Sequence, residues 1–107
     1  MASAQHLTSE QSAVLDETVA ASSAHDKARS GVTWAEWQLK LASSNDREVM
    51  RVQLDQAKGN LKVRFGERNR AIRAAATAGC ETKTLVDALL YAPAMIDRIL
   101  AKRGTAK

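Results

Sequence analysis

Residues 85–104 read LVDALLYAPAMIDRILAKRG, and the apolar spacing in this stretch predicts two short helices joined by a tight turn. The first helix is expected over about 82–90. The second is expected to begin at Pro93, because the N–H that proline lacks has no partner at the first helical position. Their apolar faces consist of Leu85, Val86 and Leu89 on the first helix and of Ile96, Ile99 and Leu100 on the second, with Met95 at the margin. Two such helices need a third element to complete a core.

A long helix is predicted before this pair. Apolar residues recur at spacings of 4, 3 and 4 through Met50, Leu54, Ala57 and Leu61, and Phe65 and Ile72 continue the same face. We therefore expect one helix from about 46 to 78, in which Gly59 and Gly66 each cost about 1 kcal/mol relative to alanine. A break at Gly59 is the alternative. Gly79 supplies the left-handed residue that ends this helix, and Cys80 is expected to be a buried, small apolar residue.

The N-terminal segment, residues 8–45, opens with a helix-start signal. Thr8 and Gln11 have the spacing of a capping box, in which a hydroxyl accepts a backbone N–H and an amide reaches back. This pair predicts a helix from about 9 to 29. Gly31 is expected to end it.

A second start signal follows in VTWAEW, residues 32–37. Here Thr33 would cap the helix with Glu36 at the third helical position, and Val32 and Trp37 would form a hydrophobic staple. Trp34, Trp37 and Leu41 would share one helix face. Because the chain has few large apolar side chains, we interpret the two tryptophans as core anchors, and a partner-binding surface is the alternative.

The composition favours an all-α protein and excludes several function classes. The chain has 107 residues, one proline and four aromatic residues. No apolar run approaches the roughly 20 residues that span a bilayer, and no signal peptide is recognisable. A single cysteine excludes an intramolecular disulfide framework, so we expect a cytoplasmic location. The scattered His6, His25 and Cys80 have no metal-ligand spacing, and we expect neither a cofactor nor enzymatic activity.

Charge divides the chain into two unlike halves. Residues 1–57 carry five Lys/Arg and eight Asp/Glu, a balance of −3, whereas residues 58–107 carry eleven and four, a balance of +7. This asymmetry predicts that the C-terminal half meets an anionic partner, most simply a nucleic acid. The alternative is that the basic residues only solvate helix faces.

The stretch RNRAIRAAATAGCETKTLVDALLYAPAMIDRILAKR, residues 68–103, combines an Ala-Gly turn, a threonine-flanked helix start, a tight turn and a final helix. It resembles the tri-helical helix-turn-helix of resolvase-like and homeodomain-like bacterial DNA-binding proteins, including small actinobacterial and phage regulators. The resemblance implies that helix 93–102 enters the major groove. The chain would then comprise a disordered tail (1–7), an N-terminal segment of one or two helices (8–45), the long helix with the helix-turn-helix unit (46–103) and a basic tail (104–107).

The resemblance also implies a set of DNA-contacting residues. Arg98 is the strongest candidate for reading a base edge, because arginine forms a bidentate pair with guanine. Ala94 would contact a thymine methyl, and Asp97 would accept from a cytosine amine or orient Arg98. The candidates for phosphate contacts are Arg68, Arg70, Arg73, Lys83, Lys102 and Arg103.

The turn between the two short helices departs from the family pattern. Leu90 stands where the family commonly has glycine, often with positive φ, which is costly for leucine. We therefore expect a reshaped turn or a second helix that runs one residue longer. Val86 replaces the usual small residue in the middle of that helix.

The sequence thus predicts a sequence-dependent double-stranded DNA-binding protein, a transcriptional regulator or a phage or plasmid accessory factor. A homodimer through residues 46–66 would let it read two half-sites. The alternative is a helical protein-interaction module with a degenerate helix-turn-helix. Its docking surface would include Trp34 and Trp37, or Tyr91 and Met95.

Overall fold

The computed structural model describes residues 7–102 and, for Lys102, the backbone alone. Within this range all regular secondary structure is helical, in agreement with the predicted all-α class, and there is no strand. The four helices are α1 (Ser9–Leu41), α2 (Arg47–Thr77), α3 (Thr82–Leu89) and α4 (Pro93–Lys102). The predicted basic tail 104–107 and the predicted tail 1–7, apart from Leu7, lie outside the described residues. No helix in the described range is long and apolar enough to cross a membrane.

Helices α1 and α2 form a long antiparallel hairpin. Gln11 near the start of α1 donates from Nε2 to the carbonyl of Ala78 at 3.0 Å, and Thr18 donates to the carbonyl of Ala71 at 3.1 Å. A helix of this length spans about 50 Å, which accounts for the longest molecular dimension of 57 Å. The capping box of Thr8 and Gln11 is confirmed, so one glutamine both caps α1 and ties it to the end of α2.

The predicted end of the first helix at Gly31 is wrong, because α1 continues to Leu41. The predicted second cap is also wrong, since the Thr33 hydroxyl donates to the carbonyl of Arg29 within the same helix. An exposed glycine costs a helix about 1 kcal/mol. Helix α1 continues through Gly31 with Ala28 and Ala35 buried on either side of it.

The interpretation of the two tryptophans as core anchors is wrong. Trp34 is 64% exposed and Trp37 54% exposed. Each residue of an α-helix turns by about 100°, so a helix that buries Ala28 and Ala35 directs positions 34 and 37 to the opposite face. The α1 side of the hairpin core at this end is therefore built from small residues, and α2 supplies Leu54.

The prediction of one long helix over about 46–78 is confirmed by α2. Gly59 does not break it, and Leu54 is buried on the predicted apolar face. Gly79 has φ +104° and ends the segment as expected. Cys80 beyond it is buried, and this burial raises the pKa of its thiol.

The main core lies at the C-terminal end of the hairpin, where α4 packs on α2 and α3 packs on α1 and α4. Ile72, Leu85 and Ile96, one from each of these helices, have no exposed surface. The other buried members are Ala75, Cys80, Leu89 and Ile99. Val14 and Leu15 of α1 pack against the same cluster. The predicted apolar faces of the two short helices are therefore confirmed, and α1 completes the core.

The turn between α3 and α4 differs from both sequence expectations. Helix α3 ends at Leu89, and Leu90 itself adopts the left-handed conformation with φ 61° and ψ 31°. Its N–H donates to the carbonyl of Val86 at 2.8 Å, and its side chain is 87% exposed. The turn keeps the positive φ usual for glycine, and a leucine provides it at a conformational cost.

Candidate nucleic-acid interface

Helix α4 presents one face to the core and the opposite face to solvent. Ile96 and Ile99 are buried, whereas Ala94, Asp97 and Arg98 are exposed. Helix periodicity places these three residues on the outer face together, so a groove of DNA would meet them at once. The outer face carries one acidic and one basic side chain, both available to solvent.

Arg98 also borders a cleft between α4 and α2. The cleft has a volume of about 170 Å³ and is lined by Phe65, Arg68, Asn69, Met95, Arg98 and Ile99. The structure thus places two of the predicted DNA-contacting arginines, Arg68 and Arg98, on the wall of one cavity. The sequence pattern did not indicate this cleft.

Arg68 is buried, and the expectation that it contacts phosphate is wrong. Its side chain lies among helices at 3% residue exposure. Nε and Nη2 both donate to Oδ1 of Asn69, at 3.1 and 2.9 Å. The guanidinium carbon lies 5.0 Å from the Phe65 ring centroid and 5.3 Å from that of Tyr91, so the cation is held between two aromatic rings.

A sequence signal for this burial exists. Arg68 follows Leu54 and Leu61 at steps of seven residues, and Ala75 continues the series. Residues seven apart on a helix share a face. Position 68 therefore lies on the same face of α2 as the buried Leu54 and Ala75, although the charge of Arg68 suggested a surface position.

Arg70 and Arg73 have different surroundings. Arg70 is exposed, as a phosphate contact requires. Arg73 is half-buried, and its Nε donates to the carbonyl of Ile99 at 3.4 Å, a long hydrogen bond. Arg73 therefore links α2 to α4 as well as carrying charge near the outer surface.

Lys83 on α3 is exposed and lies 3.4 Å from a carboxylate oxygen of Asp87, one helical turn away. An exposed pair of this kind is worth only about 0.3–0.5 kcal/mol, so the ammonium group remains available to another anion. The backbone of Lys102 lies in α4, and its side chain and Arg103 lie outside the described residues.

Buried polar groups attach the α3–α4 turn to α1. The hydroxyl groups of Ser22 and Tyr91 are 2.6 Å apart. Tyr91 is therefore half-buried and held by α1, which leaves little of it for the docking surface that the alternative hypothesis assigned to it. Met95 is half-buried against the same core.

His25 lies about one helical turn after Ser22 on α1, and its ring centroid is 6.0 Å from that of Phe65. Burial lowers its pKa below the ordinary 6.5, and the Arg68 and Arg29 cations act in the same direction. Asp26 opposes them, but its Oδ1 lies 3.5 Å from Nδ1, and that nitrogen makes no hydrogen bond. His25 is therefore a buried and mainly neutral residue at pH 7.

A second surface with functional potential lies at the far end of the hairpin. We call Trp34, Trp37 and Leu41 the tryptophan stripe, because all three are exposed on one face of α1. The Lys40 ammonium lies 5.9 Å from the Trp37 ring centroid. The outer face of α2 carries three exposed valines, Val49, Val52 and Val63, which we call the valine stripe.

In the described part of the chain, no group of three or more His, Cys, Asp or Glu side chains is placed to hold a metal ion. The chain matches no known family model, no curated protein and no solved structure.

Proposed function

We propose that the protein binds double-stranded DNA, with the end of α2, α3 and α4 acting as a helix-turn-helix and α4 entering the major groove. The observation that carries the proposal is the outer face of α4, which stays open to solvent while Ile96 and Ile99 anchor the helix. The left-handed conformation of Leu90 supports the proposal, since the helix-turn-helix family that the sequence resembles often has a positive φ at this position. A role as a transcriptional regulator or as a phage or plasmid accessory factor would follow.

Electrostatics supports the same proposal. Residues 58–107 carry a net charge of +7. Arg70 on α2 and Lys83 on α3 are both exposed. Each phosphate neutralised contributes about −0.9 to the slope of log K against log salt. The burial of Arg68 removes one of the expected contacts. Base discrimination then depends chiefly on Arg98, which would contribute about 1–3 kcal/mol through a bidentate pair with guanine.

The test is selection of binding duplexes from a random pool, followed by fluorescence-anisotropy titration of the selected duplex. Arg98→Ala should lower affinity for that duplex about tenfold or more and reduce its preference over random DNA. Lys83→Ala should weaken both duplexes similarly and reduce the salt slope by about 0.9. Arg51→Ala is the matched control, because Arg51 is also exposed but lies on the distant part of α2. Absence of duplex binding at low salt would refute the proposal.

A second candidate function is protein association through the hairpin, and the exposed apolar stripes favour it. Trp34 and Trp37 expose more than half of their surface, and large aromatic side chains are enriched where proteins bind partners. Val49 and Val52 lie in the segment 46–66 that we expected to form a homodimer. A homodimer through one of the stripes would also supply the two half-site contacts that DNA reading favours.

Analytical ultracentrifugation separates these surfaces. We expect the wild-type chain to sediment as a dimer at about 100 µM, an ordinary weak-dimer range. Trp34→Ser with Trp37→Ser should give a monomer if the tryptophan stripe forms the interface, and Val49→Ser with Val52→Ser should do so if the valine stripe does. A wild-type chain that is monomeric throughout would exclude the dimer.

A further inference from the structure

The cleft between α2 and α4 combines an apolar wall with two arginines. Phe65, Met95 and Ile99 provide the apolar wall, and Arg68, Asn69 and Arg98 provide the polar groups. Its volume of about 170 Å³ is close to the roughly 150 Å³ of an apolar cavity that accommodates benzene. The space therefore suits a molecule of about the size of one substituted ring.

Arg68 is a buried cation without a carboxylate partner. No Asp or Glu oxygen of the described residues lies within 4.0 Å of its guanidinium group, although three other Lys/Arg–carboxylate pairs are present in that range. Its hydrogen bonds in the described structure both end on one amide oxygen of Asn69. Nη1 donates to no protein acceptor there. A buried charge is ordinarily paired, since burial of an unpaired ion is costly.

The aromatic neighbours stabilise the cation but do not neutralise it. Phe65 and Tyr91 face the guanidinium group at 5.0 and 5.3 Å, distances at which cation–π attraction is effective. Both rings remain uncharged, so a full positive charge stays beside the cleft. Arg98 adds a second positive charge at the solvent-exposed border of the same cleft.

We propose that this cleft binds a small organic carboxylate, with its carboxylate group between Arg68 and Arg98 and its apolar body against Phe65, Met95 and Ile99. The planar carboxylate matches the donor geometry of guanidinium groups. An inorganic phosphate would satisfy the arginines but would leave the apolar wall without a partner. The wall and the charge together therefore select an amphipathic monoanion.

The test is titration of the full-length, ¹⁵N-labelled chain with benzoate, followed by amide chemical shifts at constant ionic strength. Benzoate should give saturable shifts at residues 65–69 and 95–99. Benzyl alcohol, which has the ring without the charge, and inorganic phosphate, which has charge without the ring, should each bind at least tenfold more weakly. Absence of saturable shifts with benzoate up to 50 mM would overturn the proposal, and equal binding of phosphate would overturn its selectivity.

Variants locate the site. Arg68→Met should weaken benzoate binding at least tenfold, whereas Arg70→Met, an exposed change on the same helix, should leave it unchanged. Met95→Trp fills the cleft and keeps both arginines, so it should also abolish binding. Circular dichroism checks that each variant is folded, and if Arg68→Met does not fold, Met95→Trp decides. Unchanged binding in a folded Arg68→Met or Met95→Trp variant would refute the site.

This inference does not require the proposed DNA binding. The titration contains no nucleic acid, and its outcome depends on the cleft alone. A chain that binds benzoate but no duplex would therefore retain the ligand site and lose the proposed function.

Discussion

Replacement of Leu90 by glycine should stabilise the protein, although it removes a large apolar side chain. Leu90 has φ 61° and ψ 31°. An L-residue in the left-handed region costs about 1–2 kcal/mol, and glycine adopts this region without that cost. The same substitution increases the conformational entropy of the unfolded chain, which opposes the gain by about 0.5–1 kcal/mol.

The side chain itself contributes little. Leu90 is 87% exposed, and full burial of a leucine is worth about 1.5–3 kcal/mol, so its remaining contacts account for only about 0.3 kcal/mol. Leu90→Gly should therefore raise the free energy of unfolding by about 0.5 kcal/mol. For a chain of this size that corresponds to a rise in Tm of about 2–4 °C.

Leu90→Ala is the matched control, because it removes the same contacts and keeps the backbone strain. We expect it to be about 0.3 kcal/mol less stable than the wild type. Leu90→Val should be less stable still, since a β-branched residue tolerates this conformation poorly. Urea unfolding followed by circular dichroism at 222 nm measures all four proteins. If the glycine variant is no more stable than the alanine variant, the backbone argument is wrong.

Two further predictions concern glycines and pH. Gly59→Ala should raise the free energy of unfolding by about 0.8–1.0 kcal/mol, because no atom beyond the neighbouring residues and backbone of its own helix lies within 4 Å of the added Cβ. Gly79→Ala should lower the free energy of unfolding by about 1 kcal/mol or more, because φ is +104° and the Cβ would lie 2.6 Å from Nε2 of Gln11. Urea unfolding of both variants checks the opposite signs. Burial and Arg68 lower the pKa of His25 in the folded protein, so near pH 6.5 the unfolded state binds more protons than the folded state. The free energy of unfolding should therefore fall as the pH decreases from 7 through 6.5, and it should level off below the folded pKa. Unfolding of the wild type and of His25→Gln at several pH values should show a smaller decrease in the variant, and an equal decrease would contradict the assignment.

The start of α1, the end of α2 and the inner faces of α3 and α4 followed from the sequence because their signals are local. A capping box acts over three residues, and Gly79 ends a helix through its own backbone freedom. The apolar residues of α3 lie on one narrow face, and so do those of α4. Any packing that buries these faces therefore directs the same residues toward the core. For the candidate DNA surface, this was sufficient to place Ala94, Asp97 and Arg98 outward.

The tertiary structure decided which face of each long helix is buried. Helix α1 has two competing faces, one of small residues and one with Trp34 and Trp37, and its antiparallel alignment with α2 buries the small one. The same alignment encloses Arg68 between Phe65 and Tyr91, residues that are far from each other in sequence. Hydrophobicity and charge predict burial only on average, whereas a helix pair buries whatever lies on the line of contact. The sequence alone therefore determined the start of α1 and the positions of α2, α3 and α4. Packing decided that α1 continues past Gly31 and that a predicted surface arginine became the buried cation of a cleft.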